Sequence, residues 1–309
     1  MKVHILIDFM HIYYKYFFQL REGKLKRLSA PINWNGTVIE KDTSLLYYPL
    51  RDIEGIRRQM ELLGHDTTMS ICFDMPSKRS DSGTDAADGY KSGRQRVLSD
   101  EDFKNLEFIQ GMLDEAGHNT YRYEGYEADD IVNYLIRNHK DEFDYNVIYT
   151  NDKDLIINVC DNVGVMRFKQ YKGYTQVERK NYEEYLEAEF GTFIPYNALG
   201  LFLSSVGDSA DNIKGINKFG KVAFKKLITK VACANEIDWT QCGDYDKLEK
   251  IVYMCKEFLT DEQFEQLITS FVLVANMELI DDVPAPTKKS ELAMRQAAYM
   301  KYNMISLCP

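Results

Sequence analysis

The chain has 309 residues, 45% of them hydrophobic and 28% charged. It is long enough to bury a substantial core, and its composition excludes the collagen-like, disordered and disulfide-scaffold classes. With 38 basic against 48 acidic residues the net charge is −10, which by itself argues against a nucleic-acid partner unless the acids are gathered in one place.

The length predicts roughly two domains. No stretch approaches the about 20 consecutive apolar residues of a membrane span, so no membrane association is expected. Only Lys2 precedes the first apolar run, and no small-residue cleavage site follows it, so a signal peptide is not expected and the predicted location is cytoplasmic. Six cysteines without a CxxC pair fit reduced thiols rather than a zinc ribbon or redox dithiol.

In chain order, Val3 to Ile7 predicts a strand ended by Asp8, and Phe9 to Leu20 an aromatic-rich helix. Its Tyr13, Tyr14, Phe17 and Phe18 are expected in the core rather than stacked on bases. Residues 21–49 show no sustained period and read as an irregular insertion with room for a small hairpin. Ile53, Ile56, Met60 and Leu63 have helical spacing, and Thr67 to Phe73 is a second strand ended by Asp74. A polar stretch, about 75–99, then reads as a mobile loop or arch carrying the basic cluster Lys91, Arg94 and Arg96. Ser99 and Asp102 cap a helix running to Gly117, and Thr120 to Tyr123 predicts a strand. The run from Tyr126 to Val132 opens another helix with an acidic first turn. Asn146 to Thr150 is a further strand followed by Asp152 and Asp154.

This alternation predicts an α/β fold, a mostly parallel twisted sheet flanked by helices, in which ligands bind beyond the carboxyl ends of the strands. Asp8, Asp74 and Asp152 sit at three such ends. From about Asn181 the pattern turns helical, with helices expected at 182–190, 195–204, 218–230, 247–258 and 261–275. Residues 276–309, with Pro284, Pro286, Lys288 and Lys289, look like a linker and tail.

Nine carboxylates therefore stand out: Asp8, Asp74, Glu127, Asp129, Asp130, Asp152, Asp154, Asp208 and Asp211. Singly, each has a bland explanation as a helix-dipole partner, a turn residue or a strand end. Together at sheet ends they would repel one another, and oxygen-only ligands suit two Mg²⁺ or Mn²⁺ ions clamping a phosphoryl displacement. Setting the nine aside leaves the rest of the chain within about one charge of neutrality, so nucleic acid is no longer excluded. The segment Gly215 to Lys221 matches GxxxxGK but continues with Val222, where a P-loop needs Ser or Thr. It reads better as a hairpin between two helices. There the amides of Gly215 and Gly220, with Asn217, Lys218 and Lys221, could grip a phosphate backbone. The five histidines have no metal spacing.

Taken together, Tyr126-Glu127-Ala128-Asp129-Asp130-Ile131, Thr150-Asn151-Asp152-Lys153-Asp154-Leu155 and Gly207 to Gly220, in that order, resemble the structure-specific 5′ nucleases. These are the bacteriophage flap endonucleases and 5′-3′ exonucleases and the 5′ nuclease domain of bacterial DNA polymerase I. The resemblance covers roughly residues 3–230. It implies a PIN-like nuclease core at 1–190, an arch over the active site, a helix-hairpin-helix (H3TH) module at 191–275 with its hairpin at 207–221, and a tail at 276–309. It places one metal on Asp8, Asp74, Glu127, Asp129 and Asp130, a second on Asp152, Asp154, Asp208 and Asp211, and Asp129 between them. Lys91 and Arg94 would neutralise the scissile phosphate, Arg96 and the hairpin residues would hold DNA, and K⁺ would sit on hairpin carbonyls near Gly215 and Gly220. The implied activity is 5′-3′ exonuclease and flap endonuclease cleavage of DNA, or of RNA/DNA hybrids, in replication or repair. The implied protein is a monomer with replication partners, in the host cytoplasm if viral. Phe9 stands where the family usually has glycine, Asp81, Asp85 and Asp88 lie in the arch segment, and residues 21–49 match nothing in that pattern. A PIN-like ribonuclease and a catalytically inactive DNA-junction binder are the competing readings.

Overall fold

The computed structural model describes residues 1–75, 97–169, 173–239, 245–275 and 283–308. Along it run β1 (Lys2–Asp8), α1 (Phe9–Arg21), β2 (Ser29–Trp34), β3 (Thr37–Asp42), α2 (Ser44–Leu62), β4 (Asp66–Cys72), α3 (Asp100–Glu115), β5 (Asn119–Tyr121), α4 (Ala128–His139), β6 (Tyr145–Tyr149), β7 (Val163–Lys169) and β8 (Gly173–Val177). There follow α5 (Tyr182–Phe190), α6 (Leu199–Val206), α7 (Lys221–Asn235), α8 (Tyr245–Met254), α9 (Asp261–Ala275) and α10 (Leu292–Lys301). The arch segment with Lys91, Arg94 and Arg96 lies outside the described residues.

Six strands form one sheet in the order β5-β4-β1-β6-β7-β8, parallel throughout except for the β7-β8 pair. The chain leaves β1 to build β4 and β5 on one side and returns to place β6 on the other. The crevice beyond the carboxyl ends of β1 and β6 is thus a topological switch point, where such sheets bind ligands. Because side chains alternate across a strand, β1 splits its residues between two cores. Ile5 and Ile7 join Met69, Ile71, Val147 and Tyr149 under α1, α2 and α3. Leu6 joins Cys72 and Ile148 on the opposite face, in a cluster continuous through α4 to α9 as far as Val274. Burial on both faces is why the central strands lack a regular polar-apolar alternation, and their buried polar residues His4, Ser70 and Asn146 hydrogen-bond to one another across the sheet.

Three departures from the sequence reading have identifiable causes. Helical spacing is plain only from Asp52, but α2 begins at Ser44 and carries Pro49 inside it. A proline in its second turn costs one backbone hydrogen bond, which burial of Leu46, Tyr48 and Leu50 offsets. The sequence reading places no strand at 163–177; there Gly164, Arg167, Lys169 and Gly173 interrupt the apolar positions of the β7-β8 hairpin, whose β8 is the sheet edge. Residues 283–308 are a strap rather than a loose tail. Lys288 exchanges hydrogen bonds of 2.9 Å with the Asn119 side chain on edge strand β5, and Tyr121 Oη donates to Pro284 O at 3.1 Å. α10 then packs on α3 and reaches α2 through Tyr299 Oη, which donates to Glu54 Oε1, and Asn303 Nδ2 donates to Pro31 O of the β2-β3 hairpin at 2.5 Å. That hairpin is also pinned by Trp34 stacked on Phe108 with centroids 4.3 Å apart. No described helix is long and apolar enough to cross a membrane.

Candidate metal centre

The carboxyl ends of β1, β4 and β6 open into a cleft of about 620 Å³ whose walls include Asp8, Asp74, Glu127, Asp129, Asp152, Asp208 and Asp211. Asp130 is buried and Asp154 half-buried beside it, each in a tight group with acids of the cleft wall, so the fold brings all nine predicted carboxylates to one place. Two groups are tight. Carboxylate oxygens of Glu127, Asp129 and Asp130 lie within 4.8 Å of one another, and so do those of Asp154, Asp208 and Asp211.

Local structure explains each placement. Asp8 caps α1, its Oδ1 accepting from His11 N at 3.2 Å, while Oδ2 accepts from Thr150 Oγ1 at 2.8 Å. The same Thr150 hydroxyl oxygen accepts from Asp152 N at 2.9 Å, so Thr150 ties the ends of β1 and β6 together. Asp74 Oδ1 accepts from Ala128 N at 2.8 Å, anchoring the start of α4 to the end of β4. Glu127 and Asp130 form a reciprocal capping box. Capping therefore occupies one oxygen of several of these acids, but it does not account for their convergence.

The second group hangs on a turn between α6 and α7. Gly207 (φ +88°) and Gly215 (φ +66°) both have left-handed backbones, and they touch: a Cβ on Gly215 would meet Gly207 N at 2.4 Å. This backbone contact, with Asp208 and Ile213 exchanging hydrogen bonds of 2.8 Å, folds the turn so that Asp208 and Asp211 point back at Asp154. The close approach at Gly215 is thus within the chain. Gly220 has open space where a Cβ would be, and it precedes α7. Lys214, Asn217, Lys218 and Gly220 line a separate cavity of about 750 Å³.

The electrostatics are those of a site short of positive charge. Burial, then the neighbouring Asp74, pushes the Asp8 carboxyl up to about 8. Burial, then Asp152, Asp211 and Asp208, drives Asp154 well above the carboxylate range, and Asp154 Oδ1 is buried with no hydrogen-bond partner among the described residues. An oxygen-only donor set with an orphaned buried carboxylate oxygen fits hard divalent cations.

This has a pH signature. Asp8 holds a proton in the folded protein that the unfolded chain releases, so above its ordinary value of 3.8 it costs stability, progressively, up to about pH 8. His4 and His11 work in the opposite sense, burial lowering them from 6.5 to about 3 and about 4, but their contribution is complete by pH 6.5. Metal-stripped protein is therefore expected to lose melting temperature between about pH 6.5 and pH 8, and saturating Mg²⁺ to remove the slope. Melts in EDTA showing no decline across that interval would contradict this electrostatic picture.

Three residues that line the cleft or bond to its acids escape sequence reasoning. Thr150 has a signal only in its place at a strand end beside an acid. Lys153 reaches Asp208 Oδ2 at 2.7 Å. Arg167, on the unexpected β7, donates to Asn151 O at 2.7 Å and pairs with Glu189. Of the α1 aromatics, Tyr13 is core as expected, whereas Tyr14 and Phe18 line the cleft.

A family model for the 5′-3′ exonuclease, N-terminal resolvase-like domain, matches residues 3–190. The 5′-3′ exonuclease of Mycoplasmopsis pulmonis is 26% identical over 209 residues, covering 67% of this chain and 63% of that protein. DNA polymerase I of Treponema pallidum is 29% identical over 196 residues, covering 63% of this chain and 18% of the polymerase. The chain thus spans just under two thirds of the first relative and under a fifth of the second. Among solved structures, bacteriophage T5 5′-exonuclease with bound divalent zinc superposes with a TM-score of 0.53 at 15% identity, covering 89% of each chain. A T5 flap endonuclease complex with DNA and metal ions gives 0.54 at 14% identity, covering 88% of this chain and 89% of that one. At such identities the likeness is one of fold.

Proposed function

The chain belongs to the 5′-3′ exonuclease family, and from that premise we propose that it is a divalent-metal-dependent nuclease hydrolysing DNA phosphodiester bonds at 5′ ends and 5′ flaps. The observation that carries this reading is the gathering of nine carboxylates, six of them in two tight groups of three, at the switch point of a mostly parallel sheet. Glu127, Asp129 and Asp130, with Asp8 and Asp74 beside them, would hold one Mg²⁺ or Mn²⁺. Asp154, Asp208 and Asp211, with Asp152, would hold the second. Bound there, the ions supply Lewis acidity, lower the pKa of water and neutralise charge on the transferring phosphoryl group.

The chain's own groups do the positioning. Thr150 fixes Asp8 relative to Asp152, and the Gly207-Gly215 contact fixes Asp208 and Asp211. The same reading gives Lys91 and Arg94 the task of countering the phosphate charge, and Arg96 that of holding DNA. It makes the helix-hairpin-helix of α6 and α7 a backbone clamp. Gly215, Asn217, Lys218, Gly220 and Lys221 would lie along the strand, with K⁺ on the turn carbonyls. Removal of 5′ flaps, including RNA primers on hybrids, in replication or repair is the corresponding task, performed by a cytoplasmic monomer.

The test is a 5′-labelled flap duplex incubated with the protein in Mg²⁺ and in EDTA, with an RNA flap of the same sequence alongside. Cleavage of the DNA flap near its junction in Mg²⁺ only is expected. Metal-independent cutting would sink the mechanism, and cutting confined to RNA would move the assignment to a ribonuclease. Tight binding without cleavage would indicate a junction-binding scaffold.

A further inference from the structure

Lys153 stands in sequence between two acids of the site, Asp152 and Asp154, and projects into the same cleft. Its Nζ lies 2.7 Å from Asp208 Oδ2, and the pair is unequal: the lysine side chain is 28% exposed, the aspartate only 3%. Asp208 in turn belongs to the group in which oxygens of Asp154, Asp208 and Asp211 lie within 4.8 Å of one another. A contact with one partner this buried is not the ordinary solvated surface ion pair, whose worth is small.

Three carboxylates packed this closely repel one another unless a cation lies among them, and Lys153 is positioned to be that cation. We propose that Lys153 is the resident counter-ion of the Asp154/Asp208/Asp211 group: it holds the group together without metal and must give way when a divalent cation binds. This rests on the metal-site reading above. The physical reason is competition. A small divalent cation takes carboxylate oxygens at about 2.0–2.1 Å. An ion bound to Asp208 would then sit only a few ångströms from an ammonium at its present place, and like charges at that range repel strongly outside bulk water. Lys153 therefore favours the metal-free protein and weakens the ion's hold. It is a positioning residue that makes this site the more readily exchanged of the two.

Calorimetric titration with Mn²⁺ in the absence of nucleic acid, paired with thermal melts in EDTA, tests the assignment on the full chain. Lys153→Met is expected to melt lower than wild type in EDTA, to bind Mn²⁺ at one of two sites on the order of tenfold more tightly, and to close the melting gap at saturating Mn²⁺. Lys153→Arg should stay near wild type in both measurements. In an Asp208→Asn background the EDTA effect of Lys153→Met should disappear, which a general packing role would not produce. Unchanged or weaker Mn²⁺ binding by Lys153→Met, or an unchanged melt in EDTA, overturns the proposal. If Lys153→Met does not fold, Lys153→Gln is read by the same criteria. Wild-type protein that takes up no Mn²⁺ would sink the metal-site reading as well. Wild-type binding that the variant leaves unaltered would remove this inference alone.

Discussion

Replacing Asp208 and Asp211 together by asparagine is expected to lower flap cleavage by on the order of 10³-fold or more while leaving the protein folded, because several kcal/mol of transition-state stabilisation depend on the ion they would hold. Both residues are buried, at 4% and 5% exposure, and both belong to the tight group with Asp154. Asparagine keeps the shape and the acceptor that the turn uses, since Asp208 Oδ1 receives the Ala210 N–H at 3.0 Å. What it removes is charge. Two fewer carboxylates relieve the repulsion that drives Asp154 upward, so the metal-stripped variant should melt no lower than wild type at pH 8, and DNA affinity should be kept or raised. Single-turnover cleavage, a melt in EDTA and a binding titration separate the outcomes. Near wild-type turnover would show that this group holds no catalytic ion, whereas loss of activity together with a large fall in melting temperature would mean that the substitutions broke the turn.

How much of this site is legible in the sequence depends on how local its causes are. β1, β4 and β6 announce themselves because both of their faces are buried, and each is followed by an acid, so Asp8, Asp74 and Asp152 can be placed at strand ends with no tertiary information. The capping boxes at Ser99/Asp102 and Glu127/Asp130 are equally local, and both form. Other features rest on contacts that no window of sequence contains. Lys153 finds Asp208 across 55 positions, and Thr150 finds Asp8 across 142. The backbone contact of Gly207 with Gly215 cannot be told from two ordinary turn glycines until the turn is closed. The strap from 283 to 308 opens at 284–291 with proline, lysine and polar residues, the pattern of a linker. What orders it is a set of bonds to residues more than 160 positions earlier, such as Lys288 to Asn119 and Tyr121 to Pro284.

The strap's hold on the core supplies the second large effect, remote from the cleft. Glu54, on α2, is 8% exposed and is met from three directions. Arg57 Nη2 lies 2.7 Å from its Oε2, Tyr299 Oη of α10 donates to Oε1 at 2.6 Å, and His118 Nε2 and Arg295 Nε lie at 3.7 and 3.8 Å. Burial alone would raise this carboxyl, but the nearby His118 imidazole, the hydrogen bond from Tyr299 and the charge of Arg57 outweigh it and hold it at about 2. Glu54→Gln leaves the Arg57 and Arg295 guanidiniums buried side by side with, among the described carboxylates, only the more exposed Glu61 between them. Breaking a buried pair in this way costs about 3–5 kcal/mol, so the melting temperature should fall by roughly 10 °C. Cleavage per folded molecule should stay close to wild type. A group lowered from 4.5 to about 2 contributes stability that is fully present above pH 4.5 and lost as the pH falls through about 2. The gap between wild type and variant should therefore be constant at neutral pH and shrink only in acid. Adding Arg295→Met to Glu54→Gln removes one stranded charge and should recover part of the loss, a coupling that a double-mutant cycle measures. A single variant that melts within a degree of wild type would show that α10 is held by its apolar contacts alone, with Glu54 no more than a spectator to the docking.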